Sequence, residues 1–219
     1  MTISAVILSS AMLPNIQPQK VTSKLKYGVK DVIGNPIMLG SLVATFSLQF
    51  TNSVFSSFIP LYARQLPLAI IGLVFAVQGL MNVVGRPVVG ELSTRIRRRI
   101  PTVSLAMLLG TAGMLSLGIS SSLEVIIISA ILVGLSMGIG IVLLLTMVAE
   151  QSPREKRGFV MGFHTTPIYL GLGFGSAVEG IVIENFGYPI AFQSFGLLTL
   201  TGLIGFGLLS SRMARPVQQ

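Results

Sequence analysis

Between Gly85 and Arg99 an apolar run ends in four arginines within five residues: Arg95, Arg97, Arg98 and Arg99. An apolar helix that runs into such a knot has reached a membrane surface. Basic loops stay on the cytoplasmic side, so the knot also says which surface. Composition agrees. Only 10% of the 219 residues are charged and 52% are hydrophobic, against about 25% charge in a soluble domain. Too little charge remains to wet a globular surface. Backbone amides find no water inside lipid, so the spanning segments must be helices. The unbroken apolar runs are too long for barrel strands. The fold class expected is therefore an all-α integral membrane protein.

In chain order, residues 1–13 are apolar but shorter than the roughly 20 residues that cross a bilayer. They read as a partial transmembrane helix, the second half of one whose first half is missing, or as an ordinary hydrophobic start. Residues 14–35 read as a cytoplasmic linker, with Lys20, Lys24, Lys26 and Lys30 against Asp31. Pro14, Pro18 and Gly28 argue against one continuous helix there. Six spans are expected in a bundle over 36–210: Pro36 to Tyr62, Leu68 to Leu92, Pro101 to Ile119, Leu123 to Val148, Gly158 to Ile183 and Tyr188 to Leu209. Residues 211–219 form a cytoplasmic tail. Loop charges alternate as this count requires. The arginine knot, the Arg154–Arg157 loop, the linker lysines and Arg212 with Arg215 fall on one side, and the opposite loops hold only Arg64.

Several function classes drop out. The net charge of +8 sits in short loops between apolar spans, not along one face with aromatics, so no nucleic-acid partner is implied. There is no cysteine and a single histidine, which removes thiolate and multi-histidine metal sites. The run Gly171-Leu172-Gly173-Phe174-Gly175 lacks the lysine and preceding strand of a phosphate loop and reads as helix packing, as do Gly134, Gly138 and Gly140. No constellation for acid–base or nucleophilic catalysis is present, so no enzyme and no cofactor are expected.

The stretch Gly-Arg-Pro-Val-Val-Gly-Glu-Leu-Ser-Thr-Arg-Ile-Arg-Arg-Arg resembles the G-x-L-x-D-R-x-G-R-R loop signature of the major facilitator superfamily. Gly90, Leu92, Arg95, Arg98 and Arg99 match it. Thr94 stands where that family has an acidic residue and Arg97 where it has glycine. Glu150 to Gly158 is similar to the family's E-x-x-P-x-x-x-R-G loop, and Gly187-Tyr188 precedes an aromatic-rich last span. The resemblance covers essentially the whole chain and implies the C-terminal six-helix half of the family's fold. It further implies an alternating-access secondary transporter of a small solute or drug-like molecule, driven by an ion gradient. The implied partners are the lipid bilayer, the substrate and a second six-helix bundle, supplied by a missing N-terminal half, a split partner or a homodimer mate. The alternative is a non-transporting module that packs against another membrane subunit.

Polar residues inside the spans are the candidate site. Gln78, Asn82 and Arg86 recur every four residues on one helical face, and Thr45, Gln49, Asn52 and Ser56 make a similar stripe. By the resemblance these two spans border the central cavity, which makes Gln49, Asn52, Gln78 and Asn82 substrate contacts; the alternative is hydrogen bonding that only holds helices together. Arg86 either snorkels to the interface or serves as a gate or anion contact, paired with Glu91 or Glu150. Arg95 joins this gating set, and Glu91 or Glu150 would replace the acidity missing at Thr94. Glu179, inside the fifth span, is the proton-coupling candidate; otherwise it pairs with Arg64 or faces the vestibule. His164 reads as a packing or interfacial residue.

Overall fold

A computed structural model describes residues 28–92 and 99–211. The expected partial helix, most of the linker, Thr94, Arg95, Arg97, Arg98 and the tail from 212 lie outside the described residues, as does the side chain of Glu91. Helix α1 is short, Val29–Gly34. It is followed by α2, Pro36–Tyr62; α3, Leu68–Leu92; α4, Arg99–Leu117; and α5, Leu123–Gln151. A 3₁₀ turn at Arg154–Lys156 leads into α6, Arg157–Ser211. No strand occurs among the described residues. The end of the expected linker is thus helical, held by the Gly28 amide donating to Asp31 Oδ2 at 2.7 Å.

Local chemistry sets the boundaries. Asn35 caps α2: its Oδ1 accepts from the amides of Ile37 and Met38 at 3.0 and 3.3 Å, and Pro36 occupies the first turn, where a missing amide hydrogen costs nothing. Arg99 and Ile100 extend α4 beyond its expected start at Pro101, because Arg99 is pinned by an ion pair with Glu150 at the end of α5.

Helix α6 holds 55 residues, but it is not one rod. A rod of that length would run about 80 Å, far more than a hydrocarbon core of about 30 Å. At Gly187 the backbone takes φ 79°, ψ 169°, a region open essentially only to glycine. The neighbours of α2 show that the chain reverses there. Along the first limb, Gly171 backs onto the Phe46 carbonyl and Gly175 onto that of Phe50, so the limb rises in step with α2. Along the second, Thr199 meets Thr51, Gly202 meets Ser47 and Phe206 meets Gly40, so this limb descends. Pro189, just past the break, suits a helix start.

The core lies in two main blocks stacked along the bundle. One gathers Phe55, Phe192 and Phe195 near Tyr62, whose ring meets Phe192 edge-on at 5.0 Å. The other gathers Leu48, Met107, Leu143 and Phe206 towards Arg99. Helix α2 is central and mostly buried, whereas most of α3 is not. Leu73, Leu80 and Val84 therefore remain exposed on α3, as do Leu170, Phe174 and Ile181 on the first limb of α6. Among the described residues, five helical stretches are long and apolar enough to cross a membrane, α6 being counted once.

Candidate functional site

Two glycines on α5 build the site. A Cβ on Gly138 would run into the carbonyl oxygen of Asn82, and one on Gly134 would meet Met81 Cβ at 2.8 Å and the Gln78 carbonyl. Their missing side chains let α3 lie backbone to backbone on α5, with Gly85 against Gly138 at the same crossing. That contact sets the polar face of α3 beside the polar face of α2.

The two faces flank an open cavity of about 250 Å³. Gln49 and Asn52 line it from α2, Asn82 and Arg86 from α3, and Met137, Ile141 and Val142 from α5. Gln78 does not line it, but its Nε2 donates to Asn52 Oδ1 at 3.1 Å and so orients that amide. Arg86 Nη2 donates to Asn82 Oδ1 at 3.3 Å. Three of the four expected substrate contacts thus reach the cavity wall and the fourth stands behind it. Arg86 joins them at the wall. The apolar side, Met137, Ile141 and Val142, had no signature in the sequence beyond the glycines that bring α5 close.

The charged candidates lie apart. Glu150 pairs with Arg99, which is 8% exposed, and not with Arg86, for which it is one of two acidic partners weighed. That pair ties the start of α4 to the end of α5 beside Ile37 and Met147. Glu91 lies in the last turn of α3, and Arg95 lies outside the described residues. Glu179 is wholly buried in the first limb of α6, one turn past Gly175, and neither carboxyl oxygen has a hydrogen-bond partner among the described residues. The pair with Arg64 and the vestibule exposure weighed for it are both absent, and Arg64 is exposed. Glu179 is not among the residues that line the cavity.

Thr45 leaves the expected polar stripe. It is buried, and its Oγ1 lies 3.1 Å from Nε2 of His164, which is 1% exposed. His164 is therefore a packing residue that links α2 to α6, and its Nδ1 has no partner among the described residues.

Comparison with known proteins completes the picture. Residues 41–218 match the Major Facilitator Superfamily. Multidrug resistance protein MdtG of Salmonella paratyphi A is 28% identical over 167 residues, covering 71% of this chain and 41% of that protein. The protein of the same name from Salmonella typhi is 30% identical over 168 residues, with the same shares covered. The chain thus spans about two fifths of the length of these curated relatives. The crystal structure of the POT family transporter PepTSo superposes with a TM-score of 0.68 at 17% identity, covering 81% of this chain and 37% of that one. With most of its length matched in sequence and its helices matched in space, the chain is a multi-pass membrane protein belonging to the Major Facilitator Superfamily.

Proposed function

We propose that the chain is one six-crossing bundle of an alternating-access secondary transporter that moves a small solute or drug-like molecule across the cytoplasmic membrane. The observation that carries this reading is the cavity: three polar side chains and a guanidinium from two different helices converge on one space within membrane-spanning helices, where polar groups are costly unless they serve. The MdtG relatives, by name multidrug resistance proteins, support a drug-like cargo. A second six-helix bundle completes the cavity, whether a missing N-terminal half, a split partner or a second copy. The exposed apolar faces of α3 and the first limb of α6 are where such a bundle would pack. The end of the bundle that carries Lys30, Arg99, Arg154, Lys156 and Arg157 faces the cytoplasm, together with the linker and tail.

An ion gradient drives the cycle, and Glu179 is the residue that exchanges a proton. Its buried, unbonded carboxyl is a place where a proton can be gained or lost as the surroundings turn from dry to hydrated. Glu150 and Arg99 hold the cytoplasmic ends together, and Arg86 stands at the cavity mouth as gate or contact.

The test is accumulation of fluorescent amphipaths of either charge, anionic fluorescein and cationic ethidium, in cells stripped of their own exporters, with lowered accumulation of either one counting for transport. Expression of the chain is expected to lower accumulation, a protonophore to restore it, and Glu179→Gln to remove the protonophore-sensitive part. Accumulation that is identical with and without the chain, together with cross-links from α3 to another membrane protein, would replace transport by the second reading, a module that packs against a membrane partner.

A further inference from the structure

We infer that the cargo of this cavity is an amphipathic organic anion, with its acidic group on Arg86 and its apolar body against α5. The inference rests on the transport reading above and adds to it the charge of the cargo.

The hydrogen bonds on the cavity wall are lopsided. Asn52 Oδ1 is taken by Gln78 Nε2, and Asn82 Oδ1 is taken by Arg86 Nη2. Each amide oxygen is engaged, and each amide NH₂ is left to donate. Arg86 carries five N–H donors in a planar fork and spends one on Asn82. No acidic residue lines the cavity, and the one ion pair among the described residues, Arg99 with Glu150, lies outside it. The wall therefore offers mostly donors and a fixed positive charge; the Gln49 side-chain carbonyl is its one unengaged amide oxygen among the described residues, and it carries no negative charge. A group with two or three anionic oxygens answers both, since the guanidinium fork matches carboxylate or phosphate geometry. A cationic group would meet like charge with nothing to offset it.

The opposite wall selects the rest of the molecule. Met137, Ile141 and Val142 present only apolar atoms, and α5 is locked to α3 by the glycine contact at Gly138. The acidic group and the hydrocarbon thus have separate seats at a fixed spacing. A fully polar anion such as inorganic phosphate would leave the apolar seat wet.

The experiment uses the full chain in phosphatidylcholine nanodiscs, with radiolabelled 1-naphthoate and 1-naphthylmethylammonium as probes that share a ring system and differ in charge. Saturable binding of naphthoate in preference to the amine is expected. Arg86→Gln should weaken naphthoate about tenfold or more, as loss of a charge-assisted bond implies. Arg86→Lys should recover part of that loss, because the charge remains and the fork does not. Arg154→Gln, a loop charge removed elsewhere, should change nothing. Phosphatidylglycerol added to the disc tests the source of the anion. If it displaces naphthoate from the wild type and not from Arg86→Lys, the same seat takes a lipid headgroup and the anion chemistry stands. Equal binding of both probes, or naphthoate binding that Arg86→Gln leaves unchanged while Asn82→Ala weakens it, overturns the anion and leaves the cavity reading intact. Binding that depends on neither Asn82 nor Arg86 removes both.

Discussion

Replacing Gly138 by alanine adds one methyl group at the crossing of α3 and α5. The new Cβ would lie 3.0 Å from the carbonyl carbon of Asn82 and 3.1 Å from its Cα, with the carbonyl oxygen closer still. Carbon atoms rest at about 3.5–4.0 Å. Helix α3 must therefore withdraw by roughly half an ångström or more at this point, because the clashing atoms are backbone and cannot rotate away. Overpacking of this kind costs about 1–3 kcal/mol. Better helix propensity of alanine over glycine offsets about 1 kcal/mol of it. The net loss expected is about 0–2 kcal/mol, equivalent to a melting temperature lower by up to roughly 8 °C at 2–4 °C per kcal/mol for a chain of this size. Thermal unfolding in detergent, followed by circular dichroism, measures it. The control is Gly173→Ala, on the open side of α6, where an added Cβ meets nothing within 4 Å. That variant should hold or gain stability. The withdrawal should also weaken naphthoate binding, since Asn82 is the residue displaced. Equal melting temperatures for the two variants, with binding unchanged, would refute the backbone contact that frames the cavity.

Three further outcomes follow from the same geometry. Gly187→Ala forces a side chain into φ 79°, ψ 169°, and should cost about 1–3 kcal/mol by thermal unfolding, although an added Cβ has its nearest neighbour, Pro189 Cδ, at a comfortable 3.9 Å. Thr45→Val removes the hydroxyl that meets His164 Nε2, leaving both ring nitrogens without a described partner; a loss of about 1–3 kcal/mol is expected, and adding His164→Leu should recover part of it in a double-variant cycle. Because the chain has no cysteine, single cysteines report sidedness without background. In intact cells a membrane-impermeant maleimide should label Ser120→Cys and Asn185→Cys and spare Lys156→Cys.

Helix extents were largely legible from hydropathy and punctuation. Asn35-Pro36 announces the start of α2, and both α2 and α3 occupy the intervals that their apolar runs suggest. Pro101 misled the start of α4, since proline tolerates any position in a first turn and marks no single one. The last connection is tighter than its polar residues imply: Glu184, Asn185 and Phe186 stay helical, and Gly187 alone turns the chain. At the site, four-residue spacing was enough to align Asn82 with Arg86, because one helix turn is local information. The partner of Glu150 was not legible. Arg86, near the end of α3, and Arg99, at the start of α4, are both basic, and which one meets Glu150 depends on how the helices pack. Thr45 and Gln49 look alike on a helical wheel, yet α6 covers the first and leaves the second at the cavity wall.

A connection made of one residue has no slack. For the limbs of α6 to slip past each other by a single 1.5 Å step, either Pro189 or the helix ending at Phe186 would have to give up hydrogen-bonded turns. The two limbs must then travel as one wedge, carrying Glu179 on one arm and Thr199 on the other in fixed relation. Among the described residues, any rocking of the bundle finds its pivots in the longer joints, at residues 63–67, 118–122 and 152–156, where the backbone has room to bend.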